Sequence, residues 1–242
     1  MMQGLPATAD THPRAVFGPF AQTFLPSGTP EDILPELMAI GHLVSTRRGL
    51  RAYIDPSVDQ MVYVSRGATK LVATASEGRE QIVAFHFAGD LISVPATAQH
   101  SYSLRALVDS QLLTFPTREF VTCIERAPAV MRQVLDRVMM ALHRSRDKAV
   151  GLGRKTAEER LASFFVGMAE RIGRTDGKAC ALDLPMSRRD IADALGLTIE
   201  TVSRQLGRLR ELGLIEISGR SGVRLLQPGA LEARAAHCGL AG

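Results

Sequence analysis

The stretch MSRRDIADALGLTIETVSRQLGRLR, residues 186–210, decides how this chain is read. It divides into two short amphipathic helices. Ser187 with Asp190 three residues on has the form of a capping pair, which opens the first helix. Ile191, Ala192 and Leu195 turn inward. Gly196 permits the tight turn between the helices because it tolerates a positive φ. Thr198 caps the second helix, and Val202, Leu206 and Leu209 form its buried stripe. That leaves Glu200, Ser203 and Arg204 on one polar face, near the helix N-terminus. A helix-turn-helix touches base edges in the major groove of double-stranded DNA with that part of its second helix. The residue types suit the task. Arg pairs bidentately with guanine O6 and N7, Glu accepts from cytosine N4, and Ser bonds either way or touches a thymine methyl. Glu200 lies four residues before Arg204, a spacing that lets the carboxylate steady the guanidinium. Arg188, Arg189, Thr198, Arg208, Arg210 and Arg220 are placed for phosphates, which supply affinity without sequence information.

Moving outward, residues 214–217 and 223–226 are short β-rich runs. The turn between them, 218–222, carries Arg220 and suits a β-wing. Upstream, 174–178 reads as a polar loop. Thr156 to Glu159 fits a second capping box, followed by Leu161, Phe164, Phe165, Met168 and Ile172 on one face. Residues 151–242 therefore form a winged helix-turn-helix domain. Gly151-Leu152-Gly153 is expected to break the preceding helix, 128–150. In that helix Met131, Leu135, Val138, Leu142, Ser145 and Ala149 alternate spacings of four and three, a heptad seam that asks for a partner helix. Dimerisation is the expected use, and packing on the chain's own β-domain is the alternative. Residues 29–127 hold one helical run (30–43) and then strand-like runs at 61–64, 70–74, 81–87, 104–108 and 111–115, separated by Gly-containing turns. This spacing predicts a β-roll. Residues 1–28, rich in Pro, Gly and Ala, read as a flexible arm. The fold class is α+β.

The 242 residues are 45% hydrophobic and 22% charged, the balance of an ordinary globular protein. No apolar run suffices to cross a bilayer, and the N-terminus lacks a secretory pattern, so a cytoplasmic location away from the membrane is expected. The net charge of +4 is compatible with a polyanionic partner. Trp is absent and aromatics are 5%, which argues against a stacking platform for single strands. Cys123, Cys180 and Cys238 have no metal-type spacing. No phosphate-cradling glycine loop, HExxH or GxSxG element occurs, so an enzyme is not expected.

The segment LDLPMSRRDIADALGLTIETVSRQLGRLRELGLIEI (182–217) resembles the DNA-binding domain of the Crp/Fnr family. The likeness extends through KTAEERLASFF (155–165) to GREQIVAFHFAGDL (78–91). The resemblance implies a cyclic-nucleotide-binding-like jelly roll, a long dimerisation helix and a winged helix-turn-helix. It also implies a homodimer on palindromic promoter sites that contacts RNA polymerase, with residues 77–81 similar to a polymerase-contacting surface. The cyclic-AMP receptor branch carries Arg just before the recognition-helix Glu, where this chain has Ile199. Glu200, Ser203 and Arg204 instead resemble the E-x-x-S-R pattern of the Fnr/FixK branch, which reads TTGAT-type half-sites.

The resemblance also frames the question of control. A cyclic-nucleotide pocket needs an Arg-Ser pair for the phosphate, and this chain has His100-Ser101 there. A buried phosphate without Arg would be poorly compensated. An iron–sulfur cluster needs four thiolates, and no cysteine precedes Cys123. The expectation is therefore a FixK-like regulator with no tightly bound cofactor and no metal, in oxygen-, nitrogen-oxide- or redox-responsive gene control. A haem-dependent nitric-oxide or redox sensor is the alternative, with His12, His42, His86, His100 and His143 as candidate axial ligands; a cyclic-nucleotide-responsive regulator is the other. Cys180, just before the DNA-binding helices, is the candidate redox switch, since oxidation there would set charge or bulk near DNA phosphates.

Overall fold

The computed structural model describes residues 13–75 and 78–235. His12 and Cys238, and Glu77 of the 77–81 surface, lie outside them. The chain opens with helices α1 (Pro13–Phe24) and α2 (Ile33–Ile40). Seven strands follow: β1 (His42–Thr46), β2 (Gln60–Arg66), β3 (Ala68–Thr74), β4 (Glu80–Phe87), β5 (Leu91–Val94), β6 (Ser101–Ala106) and β7 (Ser110–Pro116). They form two antiparallel sheets, ordered β1-β7-β2-β5 and β4-β3-β6. Short strands on adjacent hairpins with a shared interior make the β-roll. Val62, Val64, Leu71, Ile92, Val94, Leu104 and Leu112 fill that interior.

The flexible arm expected over 1–28 is overturned for residues 13–24. Val16, Phe17, Phe20 and Phe24 recur on one face of α1 and are buried. Phe20 stacks on Phe24 at 5.1 Å between ring centroids and meets Tyr63 edge-on at 5.3 Å. The burial of three aromatic rings outweighs the cost of Pro19 inside the helix. The helix expected over 30–43 is shorter than that, because His42 and Leu43 pair with Thr114 and Leu113 in the sheet.

Helix α3 (Thr117–Ile124) leads into α4 (Pro128–Arg154), which starts on a proline at its first turn. The break expected at Gly151-Leu152-Gly153 does not occur. Neither glycine has a positive φ, so both continue the helix, which ends at Lys155 in extended backbone. The first turns of α4 lie on the roll through buried Val130 and Val134.

The C-terminal part runs α5 (Ala157–Ile172), β8 (Arg174–Asp176), β9 (Ala179–Asp183), α6 (Arg188–Leu195), α7 (Ile199–Glu211), β10 (Ile215–Ser218), β11 (Gly222–Leu225) and α8 (Pro228–Ala235). The segment read as a polar loop is a hairpin instead, turned by Gly177 at φ 63°. Its strands complete a four-stranded sheet, β10-β11-β9-β8. One apolar cluster joins the two halves of the chain. Val72, Ile82, Phe85, Phe87 and Leu107 of the roll pack with Phe164, Phe165, Ile191, Val202 and Leu206 of the C-terminal part.

Candidate nucleic-acid interface

The two helices of the decisive stretch are each closed by the residues that the sequence nominates. Asp190 N–H donates to Ser187 Oγ at 3.1 Å, and the Ser187 N–H donates to Asp190 Oδ2 at 2.8 Å. These bonds satisfy donors that a helix start leaves unpaired. Gly196 takes the left-handed conformation at φ 62°, ψ 42°, and the Leu197 N–H returns to the Ala192 carbonyl at 3.0 Å. Thr198 then caps α7, accepting from the Thr201 N–H at 3.1 Å. Thr198→Ala is expected to cost about 1 kcal/mol of stability, read as a shift in a denaturant midpoint. No change would mean that the cap is dispensable.

Val202, Leu206 and Leu209 hold α7 to the core. Glu200 and Arg204 are exposed and Ser203 is half-buried, all within the first turns of the helix. The expected Glu200–Arg204 contact is not formed as an ion pair. Arg204 Nη2 turns to Thr201 Oγ1 at 3.4 Å. The Glu200 carboxyl folds back on the helix start instead. Its own backbone amide, then the Thr198 hydroxyl, and then the Arg204 charge hold it below the usual carboxylate range. Both side chains are exposed and form no ion pair with another described residue.

The basic surround is uneven. Arg188 and Arg220 line one small cleft with Ile217, Ser221 and Gly222, which brings the start of α6 beside the wing turn. Arg188, Arg189 and Arg220 are exposed and form no ion pair among the described residues. Arg208 differs. Its Nε lies 3.1 Å from Glu158 Oε2, although the side chain is 63% exposed. Glu158 also receives Arg234 at 2.5 Å. No local spacing announces this partner, which is 50 residues away in sequence.

The reading hairpin is docked on the roll through contacts that no sequence pattern suggested. Lys70 Nζ on β3 donates to Asp190 Oδ1 at 2.5 Å, and Gln81 Nε2 on β4 donates to the Asp193 carbonyl at 2.5 Å. Burial pushes the Asp190 carboxyl up, but hydrogen bonds from Lys70 and Ser187 outweigh it and hold the group low. Arg171 of α5 donates to the Phe85 carbonyl at 2.9 Å and to Asp90 at 2.5 Å.

Of the seam residues, Leu135, Val138 and Leu142 are 55%, 46% and 40% exposed. Met131 is half-buried against its own roll and belongs as much to the fold as to the seam. Because α4 runs on to Arg154, the alternation continues through Ser145 and Ala149 to exposed Leu152.

Cys180 is half-buried on β9, opposite Leu225 and Thr175. A Cβ built on Gly173 would come within 2.5 Å of its sulfur, so the thiol packs tightly against the end of α5. That surrounding is core rather than the outward face of α7. Arg105, on β6, forks its two terminal guanidinium nitrogens onto the Glu80 carboxylate. His42, His100 and His143 are exposed. His86 is pulled down to about 4, first by burial and then by the Arg171 and Arg144 charges, against the opposing pull of Asp90.

Comparison with known proteins agrees with this geometry. Residues 159–234 match the Crp-like helix-turn-helix domain, and residues 54–127 match the cyclic nucleotide-binding domain. The nitrogen fixation regulation protein FixK of Bradyrhizobium diazoefficiens is 35% identical over 84% of this chain and 86% of its own length. The transcriptional activator protein FnrL of Cereibacter sphaeroides is 32% identical over 67% of each chain. Among solved structures, FixK2 from Bradyrhizobium japonicum superposes with a TM-score of 0.69 at 30% identity, covering 83% of this chain and all of that one.

Proposed function

This chain belongs to the Crp/Fnr family of DNA-binding transcriptional regulators, and from that premise we propose that it binds as a homodimer to a palindromic TTGAT-like promoter site. The observation that carries the proposal is the capped α7, which bears exposed Glu200 and Arg204 and half-buried Ser203 in its first turns, in a domain whose Arg188, Arg189 and Arg220 are exposed and form no ion pair among the described residues. In a homodimer built on the α4 seam, two such helices face successive major grooves, about 34 Å apart. Arg204 reads guanine, Glu200 the paired cytosine, and Ser203 the outer thymine. Thr198, at the helix start, offers its backbone to a phosphate.

In this reading the protein acts in the cytoplasm and activates transcription through RNA polymerase, with residues 77–81 as the contact surface. The similarity to FnrL, a transcriptional activator protein, supports activation. No helix among the described residues is long and apolar enough to cross a membrane. The gene control is of the oxygen-, nitrogen-oxide- or redox-responsive kind, in keeping with relatives named for nitrogen fixation and anaerobic regulation. Cys180 serves as packing in this reading.

Titration of the protein on a TTGAT palindrome and on a scrambled duplex, at several salt concentrations, tests the reading. Equal affinity for the two sequences would sink it. Within that experiment, Arg220→Ala is expected to weaken all sequences evenly and to reduce the salt slope by about 1. Arg208→Ala is expected to change the slope less, because Glu158 already holds that guanidinium. The opposite order would reverse the assignment of the two arginines.

A further inference from the structure

We propose that Arg160 is the positioning residue that fixes the reading hairpin relative to the dimer helix, and so sets which half-site spacing the protein accepts. The inference rests on the palindromic homodimer reading above. Arg160 stands in the first turn of α5 and is half-buried. Its three guanidinium nitrogens donate to three backbone carbonyls in three segments. Nη2 reaches Leu152 in the last turn of α4 at 2.7 Å. Nε reaches Lys155 in the linker at 3.0 Å. Nη1 reaches Leu195 at the end of α6 at 3.1 Å. These are carbonyls that helix ends leave without intrahelical partners. A guanidinium presents its donors in a rigid plane, so the three segments cannot turn independently while it is bound.

The joint continues to the reading turn itself. A Cβ built on Gly196 would lie 3.3 Å from Leu152 Cδ2 and 3.7 Å from Arg160 Nη1. Leu152 also extends the exposed α4 alternation. The last turn of the dimer seam, the linker and the turn before α7 therefore meet at one side chain. Two copies of that angle, related by the seam, determine the separation of the two α7 helices. Lys in place of Arg keeps the charge but gives up the planar fork.

The experiment uses the full-length protein, Arg160→Gln and Arg160→Lys. Each is titrated on the palindrome, on palindromes with the spacer one base pair shorter or longer, and on a duplex with a single half-site. Sedimentation checks that each remains dimeric. Arg160→Gln is expected to lose about tenfold on the preferred spacing while single-half-site affinity holds, so that the three spacings are bound nearly alike. Arg160→Lys is expected to fall between. If Arg160→Gln does not fold, Arg160→Lys decides by the same comparison. Retention of the parent's spacing preference overturns the proposal, and so does an equal loss on half-site and palindrome, which is the signature of a merely structural residue. A parent protein that binds one half-site as tightly as two would overturn the homodimer reading itself, and the proposal with it.

Discussion

Leu135→Asp combined with Val138→Asp is expected to yield monomers that bind a palindromic site about 100- to 10,000-fold more weakly than the parent, because two linked reading heads act at a high effective concentration. Both side chains are largely exposed on α4. Their replacement thus leaves the chain's own core intact, unlike changes at buried Val130 or Val134. Four aspartates brought together across the seam would be desolvated without partners. Sedimentation reads the association state and a gel-shift titration reads the affinity. Affinity for a single half-site should be preserved. A variant that stayed dimeric would place the subunit interface elsewhere, and an equal loss on the single half-site would point to misfolding.

Arg204→Ala is expected to cost about 1–3 kcal/mol at the preferred half-site and to blur discrimination at its G·C position. Arg204 is exposed, and its hydrogen bond to Thr201 is long at 3.4 Å. Its loss therefore leaves little unsatisfied in the free protein, and the measured effect belongs to the complex. Selection of bound sequences from a library randomised over the half-site reads the discrimination directly. An unchanged sequence preference would show that α7 presents a different face to DNA.

The parts of the interface that the sequence reveals are those built from short-range chemistry. Ser187 with Asp190, Gly196, and Thr198 with Thr201 act within three or four residues, and each takes the predicted role. The same holds for Thr156 and Glu159 at the start of α5. The misreadings also have physical causes. Pro and Gly in residues 13–24 hide a helix that exists because Phe17, Phe20 and Phe24 find Tyr63 and Phe115 far along the chain. Gly151 and Gly153 look like breakers, but glycine ends a helix only when its backbone leaves the helical region. The Arg208–Glu158, Lys70–Asp190 and Gln81–Asp193 contacts join residues 50 to 120 positions apart and leave no periodic trace. Glu200 forms no ion pair with Arg204, and its carboxyl is held low first by its own backbone amide and then by the Thr198 hydroxyl at the helix start.

The apolar cluster shared by the β-roll and the C-terminal part bears on how this protein can be taken apart. Phe85 of β4 meets Phe164 of α5 edge-on, 6.2 Å between centroids. Ile82, Phe87 and Leu107 join the same buried set as Ile191 and Val202. Cutting the chain at Lys155 would strip apolar cover from both pieces at once. The roll and the C-terminal part thus share one buried apolar set rather than each closing its own. A substitution that loosens the distant roll, such as Phe85→Ala, is therefore expected to lower the stability of the C-terminal part as well.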